Sequence, residues 1–179
     1  PPLALLGSSE PEPRDDALLR AQPAPHASLA LRVARDVRLA VFCDYDGTFA
    51  KQDVGSTIAR THAADRRKAL WKRLERGELD AWAYNLELLD GLPLPESELA
   101  EFLKTIEIDP GGRALIAWCE EHGIPFRILS DGFDYNLERL QRIHGVRFAH
   151  DSNRLWYENG RWRIAARYPD ARCSCRTGV

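Results

Sequence analysis

Residues 39–49 read LAVFCDYDGTF, and the fold turns on how that stretch is read. Leu39-Ala40-Val41-Phe42-Cys43 is an apolar run that leads into carboxylates at Asp44 and Asp46, followed by Gly47 and Thr48. Short apolar runs of this kind read as buried strands. Ligands of open α/β sheets bind outside the carboxyl ends of the strands, which is where Asp44 would fall. Two carboxylates one residue apart repel each other unless a cation lies between them or one takes up a proton. Mg²⁺ accepts one or two carboxylates together with phosphate oxygens, so strand-end acids suit metal-assisted phosphoryl chemistry. Gly47 permits a sharp turn after the acids, and Thr48 brings a hydroxyl and an N–H beside them. A plain reading remains beside this one, a strand ending in an Asp-rich turn, because Asp and Gly are common turn residues.

A second stretch strengthens the chemical reading. Phe126-Arg127-Ile128-Leu129 is another short apolar-rich run, and it ends in Ser130-Asp131-Gly132. If the two strands are neighbours, Ser130 falls beside Asp44. Taken in this order, the DxDGT and SDG stretches resemble the haloacid dehalogenase superfamily of phosphohydrolases. Asp109-Pro110-Gly111 ahead of a helix, and then SDGFDYNLERL, are similar to its phosphoserine-phosphatase-like branch and to methionine-salvage (MtnX-like) phosphatases. The resemblance implies a Rossmann-like α/β core with a small helical cap inserted after the first strand. It makes Asp44 the nucleophile and Asp46 the general acid/base, with both residues holding Mg²⁺. Thr48, Ser130, Asp131 and Gly132 would bind the phosphate, although Asp131 also reads as a turn residue. Asp53 stands where the branch often has an acid at the cap entrance, and it reads equally as a substrate contact or a helix cap.

Composition narrows the remaining classes. A chain of 179 residues supports one sizeable domain, or a core with a small insertion. With 44% hydrophobic and 29% charged residues it reads as globular, and a formal charge of −2 gives no electrostatic case for nucleic acid. No apolar stretch approaches the roughly 20 residues of a membrane span, and Leu3-Ala4-Leu5-Leu6 is too short for a signal-peptide core. The expected partner is a small phosphorylated metabolite, and the expected compartment is the cytoplasm. Cys43 and Cys119 read as buried free thiols. Cys173 and Cys175 form a CxC without the further ligands that zinc requires.

Residues 1–28, rich in Pro, Ala, Ser and charge, read as a mobile tail. The core is expected over 29–51 and 105–179, with an amphipathic lead-in at Leu29–Val37 and the helical cap over 52–104. Within the cap the helix-forming segments are Asp53–His62, Arg66–Glu75, Leu79–Leu89 and Glu96–Lys104, with Gly77 and Gly91 punctuating the joins. Leu70, Trp71, Leu74, Trp82, Leu86 and Leu89 fall at helical spacings and read as cap core rather than ligand contacts. Helices are expected at Arg113–His122 and Asp134–His144, with a strand at Phe126–Leu129 between them. The histidines at 62, 122, 144 and 150 show no pairing. A hairpin, Arg154–Glu158 with Arg161–Ala165, closes through Asn159-Gly160, and Trp156 and Trp162 read as cross-strand neighbours.

The resemblance also implies a later lysine motif and late strand-end acids. No lysine follows Lys104, and Cys173 to Gly178 resembles the approach to that motif, with Arg176 as a stand-in. A chain ending short of those groups is the expectation. It would leave one edge of the first strand unpaired and open to dimerisation. Two functions stay open: a Mg²⁺-dependent phosphomonoesterase, and a phosphate-binding or interaction domain without turnover.

Overall fold

The computed structural model describes residues 39–172, so the tail, the lead-in at 29–37 and the stretch holding Cys173, Cys175 and Arg176 lie outside the described residues. Strand β1, Val41–Asp44, is followed by helices α1, Val54–His62, α2, Ala64–Glu75, α3, Ala81–Asp90, and α4, Glu96–Phe102, which runs into a 3₁₀ turn at Leu103–Thr105. Helix α5, Pro110–Glu121, then leads to β2, Phe126–Phe133, α6, Asp134–His144, β3, Ala149–Glu158, and β4, Arg161–Ala165. The sheet order is β1-β2-β3-β4, parallel across the first two pairs and antiparallel in the closing hairpin. This is an α/β fold of Rossmann type: βαβ crossovers feed parallel strands, and the end of β1 at Asp44 pairs with Leu129 of β2, one residue before Ser130.

Local chemistry explains the element boundaries. Asp53 caps α1 by accepting the Ser56 N–H at 2.7 Å, and Asp80 caps α3 through the Ala83 N–H at 2.8 Å. Helix α5 begins at Pro110, three residues before the helical pattern alone suggests, because Asp109 accepts the Gly111 N–H and Pro suits the first helical position. Gly145 ends α6 in the left-handed region at φ 60°, a backbone state that L side chains disfavour.

Three expectations need correction. Strand β2 continues past Leu129 to Phe133, with an irregularity between those residues that offsets its register on β3. Trp156 and Trp162 are not cross-strand partners. The two-residue turn at Asn159-Gly160, both at positive φ, pairs Tyr157 with Trp162 and Trp156 with Arg163. The two tryptophans therefore point to opposite faces, Trp156 exposed and Trp162 buried. Nor are all the apolar positions of the helical segment core. Leu70 and Leu88 are buried, but Trp71 and Leu86 are exposed, because those faces of α2 and α3 border open clefts.

Trp162 ties the hairpin to the helical segment. Its indole N–H donates to the Leu94 carbonyl at 2.7 Å, and its ring meets Tyr135 and Tyr157 at 5.2 and 5.0 Å between centroids. Replacing it by Phe would leave a buried carbonyl unsatisfied and lose packing, an expected cost of about 2 kcal/mol. Chemical denaturation would read this as a lower midpoint at unchanged slope, and an unchanged midpoint would remove Trp162 from the joint. At the other end of the sheet, β1 has no second strand neighbour among the described residues, and Phe42 is 63% exposed there. That is the edge for which pairing with another chain is expected.

Candidate active site

The site is assembled at the carboxyl ends of β1 and β2. After Asp44 the chain turns back on itself: the Ala50 N–H donates to the Tyr45 carbonyl at 2.9 Å, and Gly47 sits at φ 74°. Tyr45, Phe49 and Ala50 are buried and anchor this loop, while Asp44 stays exposed at its mouth. The Thr48 hydroxyl donates to Asp44 Oδ2 at 2.8 Å, which fixes one carboxylate oxygen.

Asp46 is held differently. Its Oδ1 accepts the Val54 N–H at 2.7 Å, at the start of α1, and its Oδ2 lies 3.4 Å from the hydroxyl of Ser130. Burial pushes its carboxyl up to about 7, with Asp53, Asp131 and Asp44 adding to the rise against the opposing Val54 hydrogen bond. A carboxyl near neutrality can both give and take a proton at physiological pH, which is what general acid/base work requires. Partial burial, with the charges of Asp44 and Asp53, also raises Asp131.

Ser130 is buried, and its hydroxyl oxygen accepts the Gly132 N–H at 2.9 Å. A Cβ on Gly132 would stand 3.0 Å from that oxygen and 3.1 Å from Asp46 Oδ2, so a bare backbone lets the two strand ends approach. Asp53 caps α1 and also lines the cavity described next, so the two readings of it coexist. Of the candidate residues, Asp46, Asp53, Asp131 and Gly132 line one cavity, Ser130 meets Asp46 beside it, and Asp44 with Thr48 stands at the end of β1. Of the histidines, His144 and His122 contact the backbone carbonyls of Ile106 and Trp118, and His150 contacts the Ser152 hydroxyl.

A cavity of about 280 Å³ opens from Asp46, Asp53, Asp131 and Gly132 into the helical segment. Sequence reasoning missed several of its walls. Arg67, Trp71, Tyr84 and Asn85 reach it from α2 and α3, and Asn136 from the first turn of α6. Asn153 was missed too; buried on β3, it donates to the Asp131 carbonyl at 2.8 Å and so braces β2 at Asp131. Only tertiary placement marks these residues, because polar side chains on amphipathic helices carry no signal of which cavity they face.

Whether a divalent cation fits can be judged from the donors. Asp44 and Asp46 offer hard carboxylate oxygens, and burial together with the charges of neighbouring acids raises Asp46 and Asp131. Among the described residues no set of three His, Cys, Asp or Glu side chains converges on one point. The pair fits Mg²⁺, which keeps several waters and takes phosphate oxygens, and does not form an all-protein cage.

Comparison with known proteins agrees with this geometry. A family model described as haloacid dehalogenase-like hydrolase matches residues 41–174. A phosphoserine phosphatase of Archaeoglobus fulgidus is 32% identical over 143 residues, covering 76% of this chain and 40% of its own length. A 2-hydroxy-3-keto-5-methylthiopentenyl-1-phosphate phosphatase of Brevibacillus brevis is 29% identical over 105 residues, covering 58% of this chain and 47% of its own length. The chain thus spans less than half the length of these two relatives. The crystal structure of a hydrolase from Salmonella enterica serovar Typhi superposes with a TM-score of 0.59 at 21% identity, over 72% of this chain and 45% of that one, a likeness of fold.

Proposed function

This chain belongs to the haloacid dehalogenase-like hydrolase family, and on that premise we propose that its cleft hydrolyses the phosphomonoester of a small molecule. The observation that carries the proposal is the meeting of Asp44, Asp46 and Ser130 where the end of β1 lies against β2, with Asp46 also lining a cavity of about 280 Å³. Two relatives named as phosphatases of small phosphorylated compounds support it.

In the first displacement an oxygen of Asp44 attacks phosphorus. The bond from phosphorus to the leaving oxygen breaks, and Asp46 delivers its proton to that oxygen. In the second, water attacks the aspartyl-phosphate, Asp46 takes the proton back, and inorganic phosphate leaves with Asp44 regenerated. Thr48 holds the nucleophile through its hydroxyl, and Ser130 with the backbone around Gly132 would receive the phosphate oxygens. Asp44 and Asp46 would hold Mg²⁺, whose charge screens the anionic nucleophile from the anionic phosphate.

Chelation is therefore expected to abolish hydrolysis of para-nitrophenyl phosphate, and added Mg²⁺ to restore it while raising the melting temperature modestly. Full turnover in excess chelator would overturn the metal assignment. One observation favours a second reading: with no three-residue ligand set among the described residues, the domain could bind phosphate without turning it over. Saturable phosphate binding in Mg²⁺, with no release of para-nitrophenol, would identify that case.

A further inference from the structure

The cavity walls are unequal in chemistry. At its mouth lie the carboxylates Asp46, Asp53 and Asp131; the body is aliphatic, with Ile58, Leu74, Leu88 and Leu99 among its walls; and the cation of the lining is Arg67. Arg67 is half-buried on α2, with its guanidinium 5.7 Å over the ring of Trp71. Among the described residues no carboxylate lies within ion-pair distance of it, whereas Arg73 and Arg76 on the same helix and its end pair with Glu87 and Glu78. Stacking on an aromatic face uses the plane of a guanidinium and leaves its in-plane N–H donors free for a planar oxyanion. Arg67, Tyr84 and Asp53 all line the same cavity.

A second observation also points to a ligand. Asn136 is 4% exposed and lines the same cavity, and its Oδ1 has no hydrogen-bond partner. A buried amide oxygen left unpaired is costly, and a donor carried by a bound molecule would satisfy it.

We infer that the cavity takes a phosphomonoester with an apolar carbon body ending in a carboxylate, which Arg67 holds on its Trp71 shelf. The phosphate end of this assignment rests on the function proposed above. The body is apolar because most of the cavity lining is apolar, Ile58, Leu74, Leu88 and Leu99 among it, and a hydroxyl on that body would donate to Asn136. A short amino-acid phosphate such as O-phosphoserine would leave much of that wall uncovered.

The test compares ω-phosphooxy carboxylic acids of increasing chain length with alkyl phosphates of matched length. Binding is measured by calorimetry in Mg²⁺ on the full chain carrying Asp44→Asn, so that no probe is consumed. At the best-fitting length the carboxylate is expected to bind at least about tenfold tighter than the alkyl phosphate, as a charge-assisted hydrogen bond implies. It should also bind more tightly than O-phosphoserine. Arg67→Met should collapse that ratio toward one, Arg67→Lys should keep part of it, and Arg76→Met should leave it intact. Hydroxylated probes should lose their advantage in Asn136→Leu. A ratio unchanged in Arg67→Met, carboxylates binding no better than alkyl phosphates in the parent pocket, or O-phosphoserine binding best would each overturn the assignment. Failure of the parent chain to hydrolyse any phosphomonoester would remove the phosphatase reading, while the binding ratio would still decide this one.

Discussion

Asp44→Asn is expected to lower turnover of an aryl phosphate by at least about 10³-fold, because an amide cannot replace the carboxylate oxygen that attacks phosphorus. The fold should survive the change. Asp44 is exposed, and among the described residues its side-chain hydrogen bond is with the Thr48 hydroxyl, which donates to Oδ2 at 2.8 Å and can donate equally to an amide oxygen. Steady-state kinetics read beside the thermal melt separate the two effects. Activity within a few fold of the parent would remove Asp44 as nucleophile. A collapsed melt would instead give the residue a structural role that its exposure argues against.

Asp46→Asn is expected to move activity and stability in opposite directions. Turnover should fall steeply, since an amide neither gives nor takes the proton. Stability should rise, because burial and the neighbouring Asp53, Asp131 and Asp44 hold the Asp46 carboxyl at about 7 in the folded chain. With the folded value above the unfolded one, the native state binds the extra proton. Its contribution to stability is therefore complete below the unfolded carboxylate range and is lost as pH rises through about 7. In chelator, the variant should match the parent near pH 4 and exceed it by roughly 1–4 kcal/mol above pH 7, a range set by the size of such shifts. Urea titrations at several pH values would read this gap. A gap that shrinks with rising pH would show that Asp46 is held ionised, and the acid/base assignment would lose its basis. Mg²⁺ should narrow the gap above pH 7 by compensating the ionised group.

How far the sequence carries the account depends on the kind of signal. Apolar runs ending in Asp44 and Ser130 announce two parallel strands, because fully buried strands read as continuous apolar stretches bounded by turn residues. The Asn-Gly turn fixes the hairpin register once its loop is counted as two residues, and the pairing of Tyr157 with Trp162 follows from that count. The acids are legible for a similar reason, since strand-end carboxylates separated by one residue have little structural use. The walls of the cavity are not. Trp71 and Leu74 sit on the same periodic stripe as Leu70, yet they border the cavity, because α2 and α3 do not close over it. Arg67 looks like any solvated helix arginine until its place in the cavity lining, with no carboxylate partner among the described residues, is seen. Asn136 and Asn153 are buried amides whose roles depend on contacts across the fold.

The measurement closest to the central claim is chemical trapping at Asp44. The chain is mixed with substrate and Mg²⁺, quenched in acid within one turnover, reduced with borohydride, and digested for mass spectrometry. Reduction of an aspartyl-phosphate cleaves its acyl bond and converts the residue to homoserine. The account predicts homoserine at position 44, dependent on substrate and absent from Asp44→Asn. Substrate turnover with position 44 unmodified, or the modification found at Asp46 or Asp131 instead, would contradict it.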